Sequence, residues 1–149
     1  MPNSETHIAA SIAAAPIVFV LVMVLDRIET AMTASVASLI AEVFLSPDLD
    51  HNVGCSAYRR WWLLRWIWIP YQRLVPHRSF LSHWPIFGTL GRLIVLTISF
   101  GVIAVGLAFL GIDAVGYLKL DRIPVEYAVA AVVGVELSAW VHYIADKLL

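Results

Sequence analysis

The chain has 149 residues, of which 60% are hydrophobic and 14% charged, against about 45–50% and about 25% in an ordinary soluble domain. With a mean hydropathy of +0.82 a soluble globule is the wrong default, and the length suits one domain, residues 1–149. Ten Lys and Arg against eleven Asp and Glu leave a formal charge of −1, so no global positive field draws in a polyanion and dedicated nucleic-acid binding is not expected.

Four apolar stretches follow in order: residues 8–25, 31–45, 85–110 and 125–144. About 20 residues cross about 30 Å of hydrocarbon as a helix, and the first, third and fourth stretches reach that length. The first follows residues 1–7, which contain no Lys or Arg, so it reads as a retained membrane helix rather than a signal peptide. The second is short and carries Glu42, but only residues 26–30 join it to the first, which suits a helical hairpin. Pro47 should stop it at Ser46-Pro47-Asp48-Leu49-Asp50-His51. Backbone polar groups in lipid must be satisfied within the chain, so the expected fold is all-α, an integral membrane bundle of four transmembrane helices.

Between the second and third spans, residues 46–84 contain Arg59-Arg60-Trp61-Trp62-Leu63-Leu64-Arg65-Trp66-Ile67-Trp68-Ile69-Pro70-Tyr71. Interleaved Trp, Tyr and Arg favour the headgroup layer, so the segment reads as interfacial, with membrane lipid as its partner. Its arginines do not share one helical face, which leaves room for part of it to pack against the protein. The single cysteine, Cys55, excludes an intrachain disulfide and any four-cysteine zinc knuckle.

With four spans, one side receives Arg59, Arg60, Arg65, Arg73, Arg78, Arg92 and Lys147, and the other Arg27, Lys119 and Arg122. The positive-inside rule then puts both termini and the long segment in the cytoplasm, in an inner (plasma) membrane. On that topology His7, His51, His77, His83 and His142 all lie at the cytoplasmic level, with Asp48, Asp50 and Asp146. Asp26, Glu29, Asp113 and Asp121 fall in the opposite loops.

Asp48, Asp50 and His51 place two carboxylates and an imidazole within four residues, a repulsive arrangement unless a cation sits between them. A solvated turn is the plainer reading. His77 and His83 would point roughly 120° apart on one unbroken helix, so both reach one site only if the chain bends near His77 or the helix starts at Ser79 or Ser82. Arg78 beside them could fork onto a phosphate or carboxylate, or merely anchor the topology. His142 and Asp146 share a helical face at i,i+4, with Ser138 one turn earlier. That spacing suits ligation, and equally a carboxylate that only orients an imidazole. Glu42 lies one to two turns above Asp48 as a supporting acceptor or relay, whereas Glu136 points away from His142.

The candidate ligands are thus His7, Asp48, Asp50, His51, His77, His83, His142 and Asp146, with Asp50 and Arg78 as candidate catalytic groups and Glu42, Ser79, Ser82 and Ser138 supporting. Imidazole with carboxylate suits a divalent metal, zinc first and manganese or iron next. More than four ligands point to two ions, and a pair of ions clamps the attacking and leaving oxygens of a phosphoester.

These residues carry a family resemblance. His7, the Ser46-Pro47-Asp48-Leu49-Asp50-His51 run, and Arg65-Trp66-Ile67-Trp68-Ile69-Pro70-Tyr71 leading to His77-Arg78-Ser79-Phe80-Leu81-Ser82-His83 resemble small uncharacterised metal-binding membrane proteins. Those are similar in turn to the LexA-binding, inner-membrane-associated metal-dependent hydrolases. The match covers nearly the whole chain and is most specific over residues 46–92. It implies a helical, membrane-embedded, hydrolytic metalloprotein without naming a substrate. A remoter resemblance is to the all-helical zinc phospholipase C and P1 nuclease group, whose sites use an Asp, several His and an H-x-x-x-D or H-x-x-x-E pair. His142 and Asp146 match one such pair, and Asp48 or Asp50 matches the separate Asp. The chain shows one pair only and no matching N-terminal Trp ligand, so a three-metal site is not implied.

The expected function is therefore metal-dependent hydrolysis of a phosphoester or lipid headgroup at the cytoplasmic face. A non-catalytic metal-binding scaffold or assembly factor is the alternative, and a polar ion or proton pathway through Glu42, Arg92 and Glu136 ranks last.

Overall fold

A computed structural model describes residues 4–51, 55–119 and 122–148; Asp121, read above as a loop carboxylate, lies outside them. Helices α1 (Ser4–Leu25) and α2 (Ile28–Phe44) form a hairpin. A 3-10 turn (Pro47–Asp50), α3 (Ser56–Arg60), a longer 3-10 segment (Trp62–Trp68), α4 (Ile69–Leu74) and α5 (Phe80–His83) follow. The chain ends with α6 (Pro85–Phe109), the short α7 (Ala114–Leu118) and α8 (Val125–Leu148). The described residues are all-helical in their regular structure, and four helices are long and apolar enough to cross a membrane.

The hairpin turn is tighter than residues 26–30, because α2 already starts at Ile28. Thr30 makes this possible: its hydroxyl donates to the Arg27 carbonyl at 2.8 Å and accepts from the Arg27 N–H at 3.4 Å, serving groups that a helix start leaves bare.

The bundle is built on α1, α2 and α8. Val18, Val22, Ala31, Ala34 and Ala130 form its buried apolar seam. Small residues set the spacing: a Cβ on Gly134 would stand 2.1 Å from the Ala34 carbonyl oxygen, so only glycine lets α8 lie this close to α2. Ser35 ties the pair to α1 by donating to the Ala15 carbonyl at 3.0 Å. Helix α6 leans on α8 and is hardly enclosed: Pro85, Gly88, Thr89 and Arg92 are its buried residues, all in its first turns.

The Trp/Arg segment caps one end of the bundle. Ile67, Trp68 and Tyr71 are buried with Leu49, Cys55 and Ala57, and Trp68 meets Trp61 and Tyr71 edge-on at 5.4 and 6.0 Å. Arg60 Nη1 and Trp61 Nε1 donate to the carbonyls of Val43 and Phe44 at 3.1 and 2.7 Å, satisfying the last turn of α2. Trp62, Leu63 and Trp66 face outward. The segment is thus part packed core and part exposed aromatic rim, which explains why its charges follow no single helical face.

Candidate metal centre

Four parts of the chain deliver the cluster. His7 comes from the first turns of α1, Asp48 from the 3-10 turn after α2, His83 from the end of α5, and His142 with Asp146 from α8. Pro47 at the start of the 3-10 turn stops α2, and the Gln72 amide donates to the Leu49 carbonyl at 3.0 Å, which pins the turn beneath the bundle. The bend required between His77 and His83 is present: Arg78 adopts φ 57°, α5 starts only after Ser79, and the two rings end 6.2 Å apart.

The donor atoms converge tightly. His83 Nε2 lies 3.5 Å from Asp48 Oδ1 and 3.9 Å from Asp146 Oδ2. His142 Nε2 lies 3.9 Å from the same Asp48 oxygen and 3.7 Å from the same Asp146 oxygen. His7 Nε2 stands 3.4 Å from the other Asp146 oxygen, and its ring stacks on that of His142 at 3.8 Å. His7, Asp48 and His142 form one group able to hold a metal ion, and His83, His142 and Asp146 a second, with His142 common to both.

Behind this layer stand acceptors for the opposite ring edges. Glu42, buried in α2, places Oε1 3.2 Å from His142 Nδ1, and its other oxygen accepts from the Ser138 hydroxyl at 3.5 Å. Asp50 places Oδ2 3.5 Å from His83 Nδ1, accepts the Arg78 backbone N–H at 2.8 Å on that oxygen, and meets His77 Nδ1 at 2.8 Å through its other one. The Ser82 hydroxyl lies 3.0 Å from His83 Nδ1. Burial disfavours a charged His83, yet the carboxylates of Asp48 and Asp50 outweigh it and push the imidazole up to about 9.

A family model matches residues 2–149. The chain belongs to the family described as uncharacterized metal-binding protein (DUF2227). No curated protein and no solved structure matches it.

The geometry of this family member fits a metal on its own terms. Among the described residues the Nε2 atoms of His83 and His142 are buried without a hydrogen-bond partner, which is costly for a polar atom unless something else occupies the space. Donors about 2.0–2.2 Å from a tetrahedral ion lie roughly 3.4 Å from one another. The spacings of 3.4 to 3.9 Å lie at or beyond the long limit of a hydrogen bond and close to that edge. In both His83 and His142 a carboxylate stands at Nδ1, the arrangement that turns Nε2 toward a metal. The Asp48 and Asp146 side chains keep 31% and 21% of their surface, so water reaches one side of the cluster.

The other residues singled out from the sequence lie one layer out. Asp50 has no exposed side-chain surface and serves His83, His77 and the Arg78 backbone. His77 keeps 42% of its side-chain surface, and His51 packs against its ring at 4.6 Å. Together with Tyr58, Ile69, Gln72 and Arg73, the residues Asp50, His51 and His77 line a cavity of about 550 Å³ beside the cluster. Ser79 Oγ is buried with no hydrogen-bond partner among the described residues. The sequence did not reveal that Gly88 and Arg92, both on α6, meet the Ser82 carbonyl of α5; their i,i+4 spacing was the available signal.

Proposed function

We propose that this protein is a membrane-embedded metal-dependent hydrolase of phosphoesters or lipid headgroups, with both termini and the site on the cytoplasmic side of the inner membrane. The observation that carries the proposal is the pair of carboxylate-backed histidines whose unpartnered Nε2 atoms face two partly exposed carboxylates, next to an open polar cavity. His7, Asp48, His83, His142 and Asp146 would hold the ion, zinc before manganese or iron, and five ligands leave room for a second. Bound there, a divalent ion supplies Lewis acidity toward a phosphoryl oxygen at neutral pH.

The chain's own groups do the rest. Arg73 offers the cavity a guanidinium for phosphate oxygens, and Arg78, next in sequence to His77, would add positive charge. His77, anchored through Nδ1 on Asp50, presents its ring to the same cavity and is placed to pass a proton from Nε2 to a departing alkoxide. Glu42 and Asp50 hold the His142 and His83 rings in register. Ile69 and Tyr58 give the organic part of the ester an apolar wall.

The test uses the full chain in detergent with zinc or manganese, offered bis(p-nitrophenyl) phosphate and phospholipid in mixed micelles. Turnover should stop with chelator, return with metal, and show a raised KM in Arg73→Ala at unchanged metal content. Full metal occupancy without turnover of either substrate overturns the catalytic reading. One observation favours a scaffold in that event: α6 is scarcely enclosed by its neighbours, and His83 just before it would staple it to α1, α2 and α8 through the shared ion.

A further inference from the structure

Arg92 stands on α6, two turns beyond Pro85, with 2% of its surface exposed. A guanidinium buried inside a membrane bundle is costly and is retained where it does something that an apolar residue cannot. Its two hydrogen bonds of good geometry go to a carbonyl and a hydroxyl rather than a carboxylate, with the Tyr71 phenol beside it. Nη1 donates to the Ser82 carbonyl at 3.1 Å, and Nη2 donates to the Thr89 hydroxyl at 3.3 Å. Ser82 itself is fully buried and immediately precedes His83.

A second feature of the same helix face meets the same atom. Gly88, one turn before Arg92, lies so close to α5 that a Cβ there would stand 2.1 Å from the Ser82 carbonyl oxygen and 2.8 Å from its carbon. The missing side chain lets the oxygen approach α6, and the guanidinium fork grips it once there. The carbonyl of Ser82 is therefore held from two sides, and the peptide that leads into His83 with it. The Ser82 hydroxyl meets His83 Nδ1 from the same residue.

We infer that Arg92 and Gly88 are positioning residues for the metal centre: they lock the Ser82 carbonyl onto α6 and so set where His83 points its Nε2. This rests on the metal-binding reading of the cluster and extends it to a helix that contributes no ligand of its own. A guanidinium suits the task because its planar fork spans the carbonyl and Thr89 together, whereas a lysine ammonium keeps the charge without the fork. If the charge alone mattered, Lys at position 92 would serve equally well.

The test compares Arg92→Lys, Arg92→Met, Gly88→Ala and Thr89→Ala in the full chain in detergent. Two readouts are used: zinc affinity by competition with a chromogenic chelator, and 15N resonances of the histidine rings in metal-free protein. Loss of an outer support of a metal ligand lowers affinity about 10- to 100-fold. Arg92→Lys and Gly88→Ala should each fall in that range and move the His83 resonances, with helix content unchanged, while Thr89→Ala, which removes one of the two anchors of the fork, should shift both readouts the same way by less. Gly88→Ala keeps the charge intact, so it decides the matter if the Arg92 variants fail to fold. Parent-like affinity and parent-like His83 resonances in Arg92→Lys or in Gly88→Ala overturn the inference. If the parent binds no zinc, the metal reading fails, and the resonances alone decide whether Arg92 positions His83.

Discussion

Replacing Glu42 by Gln tests the support of the centre with almost no change of shape. Glu42 is 3% exposed, and its Oε1 lies 3.2 Å from His142 Nδ1. The amide oxygen of Gln can still accept from Nδ1–H and its volume is the same, so α2 and α8 should stay packed. What disappears is the negative charge behind the ring, which makes Nε2 a stronger donor to a cation. Removing such a partner lowers metal affinity about 10- to 100-fold, equivalent to about 1.4–2.8 kcal/mol. Competition titration against a chromogenic chelator reads the change, and circular dichroism shows that the helices persist. Glu136→Gln is the control, because Glu136 carries a buried oxygen with no hydrogen-bond partner among the described residues, whereas Glu42 is the carboxylate at His142 Nδ1. Glu42→Gln with the parent's zinc affinity would refute the claim that this carboxylate backs a ligand.

Two further outcomes are expected. The His83 imidazole is pushed from 6.5 to about 9 by Asp48 and Asp50 despite its burial, so its protonated form stabilises the metal-free fold below about 6.5, and that contribution is lost as pH rises through about 9. A metal must displace this proton, so zinc affinity should tighten by about tenfold per pH unit across that window; a flat profile from pH 6 to 8 would show that His83 is not displaced. For orientation, Arg73→Cys and Lys119→Cys are compared in a Cys55→Ala background by labelling with a membrane-impermeant maleimide. Position 119 should react in intact cells and position 73 only in inverted vesicles, and the reverse pattern would invert the topology.

Much of this arrangement was legible in the chain. Four apolar runs of near-spanning length dictate four long helices, because lipid leaves the backbone no other way to satisfy itself. The i,i+4 pair of His142 and Asp146 can meet at 3.7 Å because a helix brings residues four apart onto one face. The bend between His77 and His83 was required by helix geometry once both were asked to approach one place. The split between Asp48 and Asp50 was not legible. Both lie in one 3-10 turn, where residues two apart point about 120° apart, so Asp48 turns to the Nε2 edges while Asp50 turns to His77, the Arg78 backbone and the far edge of His83. Hydropathy cannot show that a run will form a 3-10 turn rather than a continued helix. The grip of Arg92 was hidden for another reason: its partner is a main-chain carbonyl, and every residue carries one.

The most direct measurement is metal analysis with X-ray absorption on the purified chain, beside a His83→Ala, His142→Ala variant. The account predicts stoichiometric divalent metal in the parent, a shell of nitrogen and oxygen with imidazole scattering and no sulfur, and loss of that metal in the variant. A parent that holds no metal, or a variant that keeps the same metal in the same shell, would contradict it.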